Sequence, residues 1–277
     1  MNKQTKLRKR CAWWRIPVAI IILALFLSPF YILLSVAFRS PQDLNSYWIF
    51  PSELHLENFQ SAIEEGDILL SIFNSLLITV GAVFLVTVIG ALAAYPLARR
   101  RTKLNMGIKG FALGIMMVPP LSILVSLYSV MVQLQGVNHF WGIIIILVTF
   151  ELPLSIFLYT NFISSIPNAL DEAAAIDGSG PVRTFFQIIL PQLKPVTASV
   201  IILTGVHCWN DYQFSLYMLQ SPKLRTIPLA IASYFSQTTS NVNAAAAAAL
   251  LAILPIVLAF LFLQKYFIQG MVDSAIK

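Results

Sequence analysis

Charge is scarce in this 277-residue chain: Asp, Glu, Lys and Arg make up 11% of it, against 58% hydrophobic residues and a mean hydropathy of +0.78. A composition that poor in charge excludes disordered chains and ordinary soluble domains. Cysteine and histidine are nearly absent, at two and three residues. Cys11 falls in a basic N-terminal tail and Cys208 inside an apolar run, so a disulfide framework is not expected. No apolar run precedes Cys11, which argues against a lipid anchor there. Also missing are the GxxxxGK[ST] loop that cradles nucleotide phosphates, HExxH, a paired-cysteine metal pattern and a GxSxG elbow. Catalysis by this chain alone is therefore not expected, nor is a metal site.

What the chain has instead is long apolar runs. A membrane-crossing helix needs about twenty predominantly apolar residues. Hydropathy windows place six candidates, at 16–38, 68–97, 108–132, 141–162, 196–217 and 245–267. The first is too long for a secretory signal and no small-residue cleavage site follows it, so it is expected to stay as an anchor after a cytoplasmic basic tail at 1–15. The remainder, 16–277, reads as one transmembrane domain.

The basic residues set the orientation. Of the 18 Lys and Arg, all but Arg39, Lys223 and Arg225 fall in the tail, between spans two and three, in the 165–195 segment, or near the C-terminus. The positive-inside rule then puts both termini and the 165–195 segment in the cytoplasm. Such clusters are topology signals and contacts for anionic lipid, and no nucleic acid is implied. Asp43, Glu53, Glu57, Glu64, Glu65 and Asp67 crowd the first external loop, which is either simply solvated or a face for an extracytoplasmic protein.

The 165–195 segment is a polar insert in an apolar chain. Ser165 and Pro167 suit the start of a helix, with Asp171 and Glu172 favourable in its first half. Gly178 supplies a left-handed stop. Ser179 and Pro181 can restart a short helix, which Leu190-Pro191 would close before Pro195 opens the next element. Helix, glycine elbow, helix is a shape that docks into a groove of another protein.

The pattern Glu172-Ala173-Ala174, Asp177-Gly178, then Ile188, Leu190, Pro191 and Pro195 resembles the EAA loop of permease subunits in binding-protein-dependent, ATP-driven importers. Ser179 stands where alanine is more usual. Asn74-Ser75-Leu76, Leu97-Ala98-Arg99, Val118-Pro119, Gly136-Val137-Asn138, Trp209-Asn210 and Thr226-Ile227-Pro228 are similar to the carbohydrate-uptake branch, closest to its maltose-permease-G-like subunit. Ser126 departs from it, replacing a proline expected before Leu127-Tyr128. The resemblance implies an all-α integral membrane protein of the type I ABC importer permease architecture. It would have six transmembrane helices and a cytoplasmic coupling helix between spans four and five. It further implies a plasma-membrane location in a prokaryote, a second, non-identical permease subunit, two ATPase subunits that bind ATP and magnesium, and an extracytoplasmic solute-binding protein delivering a sugar or oligosaccharide. In that family the coupling loop seats in a cleft of the ATPase. Glu172, Ala173, Ala174, Asp177, Gly178, Ile188, Leu190 and Pro191 carry that expectation here, Glu172 through an ionic contact with an ATPase arginine. A permease for a polyamine or glycerol phosphate, or a secondary transporter, are the alternatives.

Polar side chains within spans mark candidate substrate paths, because lipid burial of an unpaired polar group costs several kcal/mol. Glu151 is the only acid near the middle of a span. It either lines a path, pairs with a partner subunit, or is a neutral acid hydrogen-bonded to Ser155 one turn on. His207, Trp209, Asn210 and Asp211 form a second cluster in span five, where aromatic faces and amides suit sugars; an interfacial aromatic belt of Trp209 and Tyr212 is the alternative. Pro119-Pro120 should kink span three, while Gly110 and Gly114 and the run Ala244 to Ala249 suggest close helix packing.

Overall fold

The computed structural model describes residues 14–235 and 241–275, and their regular elements are all helices. Lys3, Lys6, Arg8, Lys9, Arg10 and Lys277, on which part of the orientation argument rests, lie outside the described residues, as does Cys11.

Four of the described helices are long and apolar enough to cross a membrane: Arg15–Ala37 (α1), Ile68–Arg99 (α3), Phe140–Ser165 (α6) and the Val242–Phe262 stretch of Val242–Ala275 (α12). Two bent pairs raise the number to six if each is one span. The first joins Lys103–Met116 (α4) to a 3-10 turn and Leu124–Gln133 (α5) at 93°. The second joins Pro181–Gln192 (α8) to Lys194–Trp209 (α9) at 75°. The short helices are Glu57–Glu64 (α2), Ala169–Ile176 (α7), Gln213–Met218 (α10) and Ile227–Ser233 (α11).

Residue contacts divide the chain into two compact units. One holds Met1–Ile68 and Ile231–Leu251, the other Leu69–Ala230 and Ala252–Lys277. In the first, α1 exposes Ile21, Leu25 and Phe26 by 65–69%, a surface suited to hydrocarbon rather than water. Ala244 to Ala248 are buried, as a close-packing small-residue run requires. In the second, Ile78, Val86, Ile143, Ile146 and Ile163 build the core between α3 and α6. Close approach of those helices depends on Gly90, where a Cβ would collide with Ser155 Oγ.

The branch motifs acquire physical roles in this second unit. Asn74 donates through Nδ2 to the carbonyls of Lys223 and Arg225, 3.0 Å each, and Ser75 Oγ accepts from the Ile227 amide at 2.9 Å. The Asn-Ser and Thr-Ile-Pro motifs are thus two halves of one lock. Asn138 adopts φ +59°, and its Oδ1 accepts from the amides of Gln220 (2.7 Å) and Ser221 (3.0 Å).

Two expectations need correction. Gly110 and Gly114 face open space, so within the described chain they serve no close packing. Span five is one continuous helix only from Lys194 to Trp209, because Asn210 leaves the helix and Asp211 caps the next one instead. Span three breaks where expected, at Pro119-Pro120: Pro120 forces Pro119 into an extended backbone (ψ 123°) that no helix continues. Ser126, in place of the proline, lies within α5 and leaves it unbroken.

Candidate functional site

The polar insert begins later than its sequence suggests. Ser165 is the last residue of α6, its hydroxyl donating back to the Phe162 carbonyl, and does not cap α7. The reason is Pro167, which holds Ile166 extended (ψ 129°) and so stops α6 there. Asn168 opens α7, with Asp171 and Glu172 in its first turn.

Gly178 ends α7 at φ +77°. Its amide donates to the Ala175 carbonyl at 3.0 Å and the Ser179 amide to that of Ala174 at 2.8 Å. This is the paired closure of a Schellman motif, which satisfies carbonyls that a helix end leaves open. Gly180, not Ser179, precedes α8, and Pro181 occupies its first turn. Pro191 does not close that helix either. Lacking an N–H, it cannot bond the Gln187 carbonyl, and residues Phe185–Ile189 widen into a π turn just ahead of it, so the helix runs on to Gln192.

The two faces of α8 differ. Phe185, Ile189 and Leu193, spaced by four, are buried; Val182, Phe186 and Leu190, also spaced by four, are exposed. Beside them Ile176 is 86% exposed, and Glu172, Ala173, Asp177, Gly178 and Pro191 are exposed too. Ile188 is half-buried and Ala174 buried, so Ala174 faces its own chain. The sequence reading omitted Ile176 and Val182, although large apolar residues flanking a glycine elbow in a polar insert were a usable signal.

It also missed the groups that hold the insert. α3 is 32 residues long, about 48 Å at 1.5 Å per residue, well beyond the roughly 30 Å of a bilayer core. Its last turn therefore reaches the insert. Arg99 donates through Nη1 to the carbonyls of Ile163 (3.1 Å) and Ile166 (2.9 Å) and to Asn168 Oδ1 (2.7 Å), and its Nη2 forms an ion pair with Asp171 at 2.8 Å. Tyr95 donates its hydroxyl to Asp171 Oδ1 at 2.7 Å, and its ring packs on Phe185 at 5.3 Å. A cavity of about 600 Å³ opens between these groups and α8, lined by Tyr95, Arg99, Glu172, Val182 and Phe186 among others.

In the apolar part of the second unit, Glu151 and His207 meet. His207 Nδ1 lies 3.1 and 3.3 Å from the two carboxylate oxygens, with Glu151 largely buried and His207 more than half exposed. Ser155 is not the partner of Glu151. It donates to the Val86 carbonyl at 3.2 Å, on the α3 side of the helix. Trp209 is 7% exposed and so is no belt residue, whereas Tyr212 is 40% exposed. Asn210 turns back to the Val206 carbonyl and Asp211 caps α10 through the Ser215 amide and hydroxyl. Among the described residues no group of three or more His, Cys, Asp or Glu is placed to hold a metal ion.

Residues 86–273, which include the insert and its clamp, match the family described as binding-protein-dependent transport system inner membrane component. The chain belongs to that family. This permease is 44% identical over 260 residues to the melibiose/raffinose/stachyose import permease protein MelC of Bacillus subtilis, covering 94% of both chains. It is 31% identical over 283 residues to the multiple sugar-binding transport system permease protein MsmG of Streptococcus mutans, covering the whole of both. Its fold matches a chain of a bacterial ABC transporter involved in the import of the acidic polysaccharide alginate, with a TM-score of 0.77, 17% identity and coverage of 96% and 99%. The all-helical permease fold and the carbohydrate-permease resemblance are both borne out, and the relatives are transport permeases rather than enzymes.

Proposed function

We propose that this permease is a membrane-spanning subunit of an ATP-driven importer for a sugar or oligosaccharide. The observation that carries the reading is the exposed elbow at Gly178, flanked by Glu172, Ile176, Val182 and Phe186 and braced from behind by Arg99. It presents a shaped, mixed apolar and acidic ridge that the described residues leave uncovered. The relatives support a saccharide as cargo, and melibiose, raffinose and stachyose are the first to test.

In this reading the ridge, with Glu172, Ala173, Asp177, Gly178, Ile188, Leu190 and Pro191, seats in a cleft of an ATPase subunit. Glu172 faces an arginine there. ATP and magnesium bind to the two ATPase subunits and not to this chain. A second, similar permease completes the pathway, and an extracytoplasmic solute-binding protein delivers the sugar. Both termini and the insert lie in the cytoplasm of a prokaryotic cell. Closure of the ATPases pushes the ridge, and Arg99 passes the displacement to α3, switching the spans as a rigid body between inward-open and outward-open states. This reading assigns Glu151, His207, Trp209, Asn210 and Asp211 to the substrate path. Of these, the paired Glu151 and His207 are best suited to exchange hydrogen bonds with sugar hydroxyls.

The test is Gly178→Asp in the complex reconstituted in liposomes. Uptake should be abolished while membrane insertion is intact. Normal uptake by that variant, or ion-driven uptake without ATP, would replace this reading with a secondary transporter. Stimulation of ATPase activity by a polyamine or glycerol phosphate and not by any saccharide would replace the cargo.

A further inference from the structure

The loop after α1 folds back along the helix it has just left. Arg39 is 1% exposed, and its guanidinium gathers the carbonyls of Asn45 (2.6 Å), Ser46 (3.0 Å) and Ile49, with Asp43 at 3.3 Å balancing the charge. Lower down, Ser35 Oγ donates to the Ile49 carbonyl at 3.3 Å and Tyr31 Oη to the Trp48 carbonyl at 2.9 Å, and the Tyr31 and Phe50 rings lie 6.4 Å apart. Tyr31 sits six residues before the end of α1, about 9 Å back along its axis, and helical side chains lean further toward the N-terminus. Residues 47–50 are thereby returned to a depth that belongs to the span and not to the loop beyond it.

At that depth two things are unusual for a solvated loop. Tyr47, Trp48, Ile49 and Phe50 are 45–62% exposed, an outward-facing apolar and aromatic patch. Three of the loop's carbonyls are satisfied by one buried guanidinium and a fourth by Tyr31. Irregular backbone facing water needs no such supply. Backbone entering a bilayer does, since an unpaired carbonyl there costs several kcal/mol. Asn58 and Asn243 fix the hinge by donating to the Arg39 carbonyl at 2.8 and 2.7 Å.

We propose that residues 47–50 form a lipid-embedded anchor in the interfacial region of the leaflet at the C-terminal end of α1. Its partner is the bilayer itself, where Tyr and Trp rings match the mixed polarity of the headgroup level. This proposal rests on α1 being a span but on none of the claims about cargo or coupling. The anchor fixes the depth and tilt of the first span while Arg39 keeps the loop's backbone paired.

The test is nitroxide labelling at Trp48→Cys and, separately, Phe50→Cys. It uses the full chain with its partner subunits in liposomes of phosphatidylethanolamine and phosphatidylglycerol, with Cys11 and Cys208 replaced by Ser. Collisions with oxygen should exceed collisions with a water-soluble nickel chelate several-fold at both positions. Chelate access exceeding oxygen access overturns the anchor and makes the segment a solvated loop. Low access to both, rising when the partner permease or the binding protein is omitted, overturns it in favour of a protein interface. A label at Leu25→Cys separates the premises: if that position is open to the chelate, α1 is not a span.

Discussion

Arg99, at the end of α3, and Asp171, in the first turn of α7, form an ion pair at 2.8 Å that ties the C-terminal turn of a 32-residue helix to the polar insert. The same guanidinium holds the carbonyls that α6 leaves open at its end, so three elements meet on one side chain. Both partners are mostly buried, at 11% and 21% exposure, where loss of one leaves the other desolvated and unpaired.

Arg99→Ala should therefore destabilise the insert by about 1–3 kcal/mol. Uptake should be lost while ATP hydrolysis persists without response to substrate. Arg99→Lys should not rescue it, because an ammonium cannot reach the four acceptors that the planar fork spans. Paired measurement of uptake and ATPase activity in proteoliposomes checks this; full coupling in Arg99→Ala would refute the brace.

The Gly178 elbow makes a graded prediction. Apart from its immediate chain neighbours, no atom of the described residues lies within 4 Å of a Cβ built there, so within this chain the cost of substitution is conformational, about 1–2 kcal/mol for an ordinary residue at φ +77°. Uptake should fall in the order Gly, Asn, Ala, Val, since Asn tolerates the left-handed region and a β-branched residue does not. Equal activity across the series, at equal membrane levels, would mean that the elbow's shape is irrelevant.

Glu151 and His207 should behave as one unit. If they act together on the substrate path, Glu151→Gln and His207→Gln each reduce uptake, and the double variant is no worse than the more severe single one. Additive losses, read from initial uptake rates at saturating and limiting sugar, would show that the contact is incidental.

Gly90→Ala should lower the thermal unfolding temperature in detergent, because the new methyl meets Ser155 Oγ in a closely packed helix pair. Overpacking of this kind costs about 1–3 kcal/mol. Adding Ser155→Ala should recover part of the loss, since the remaining contact, Cβ to Cβ at 3.1 Å, is tight but can relax. A double variant less stable than Gly90→Ala would instead make the Ser155 to Val86 hydrogen bond the larger effect.

Hydropathy and short-range chemistry were legible in the chain as written. Apolar runs dictate helices in lipid because backbone polar groups have no other partner there, and the pairs Pro119-Pro120 and Asp177-Gly178 carry their backbone consequences locally. Where several local signals competed, sequence reading chose wrongly. Ser165 had the chemistry of a helix cap, but Pro167 had already ended the preceding helix; Pro191 resembled a stop, but a π turn absorbed it. The partners were decided only by tertiary structure. Nothing local to Glu151 chooses His207 over Ser155, which sits one turn away on the same helix. Nothing local to Arg99 points to Asp171, and nothing around Arg39 tells that it turns the next loop back along α1. Such choices follow from which helix faces meet, and one residue's rotation about a helix axis, 100°, is enough to change the answer.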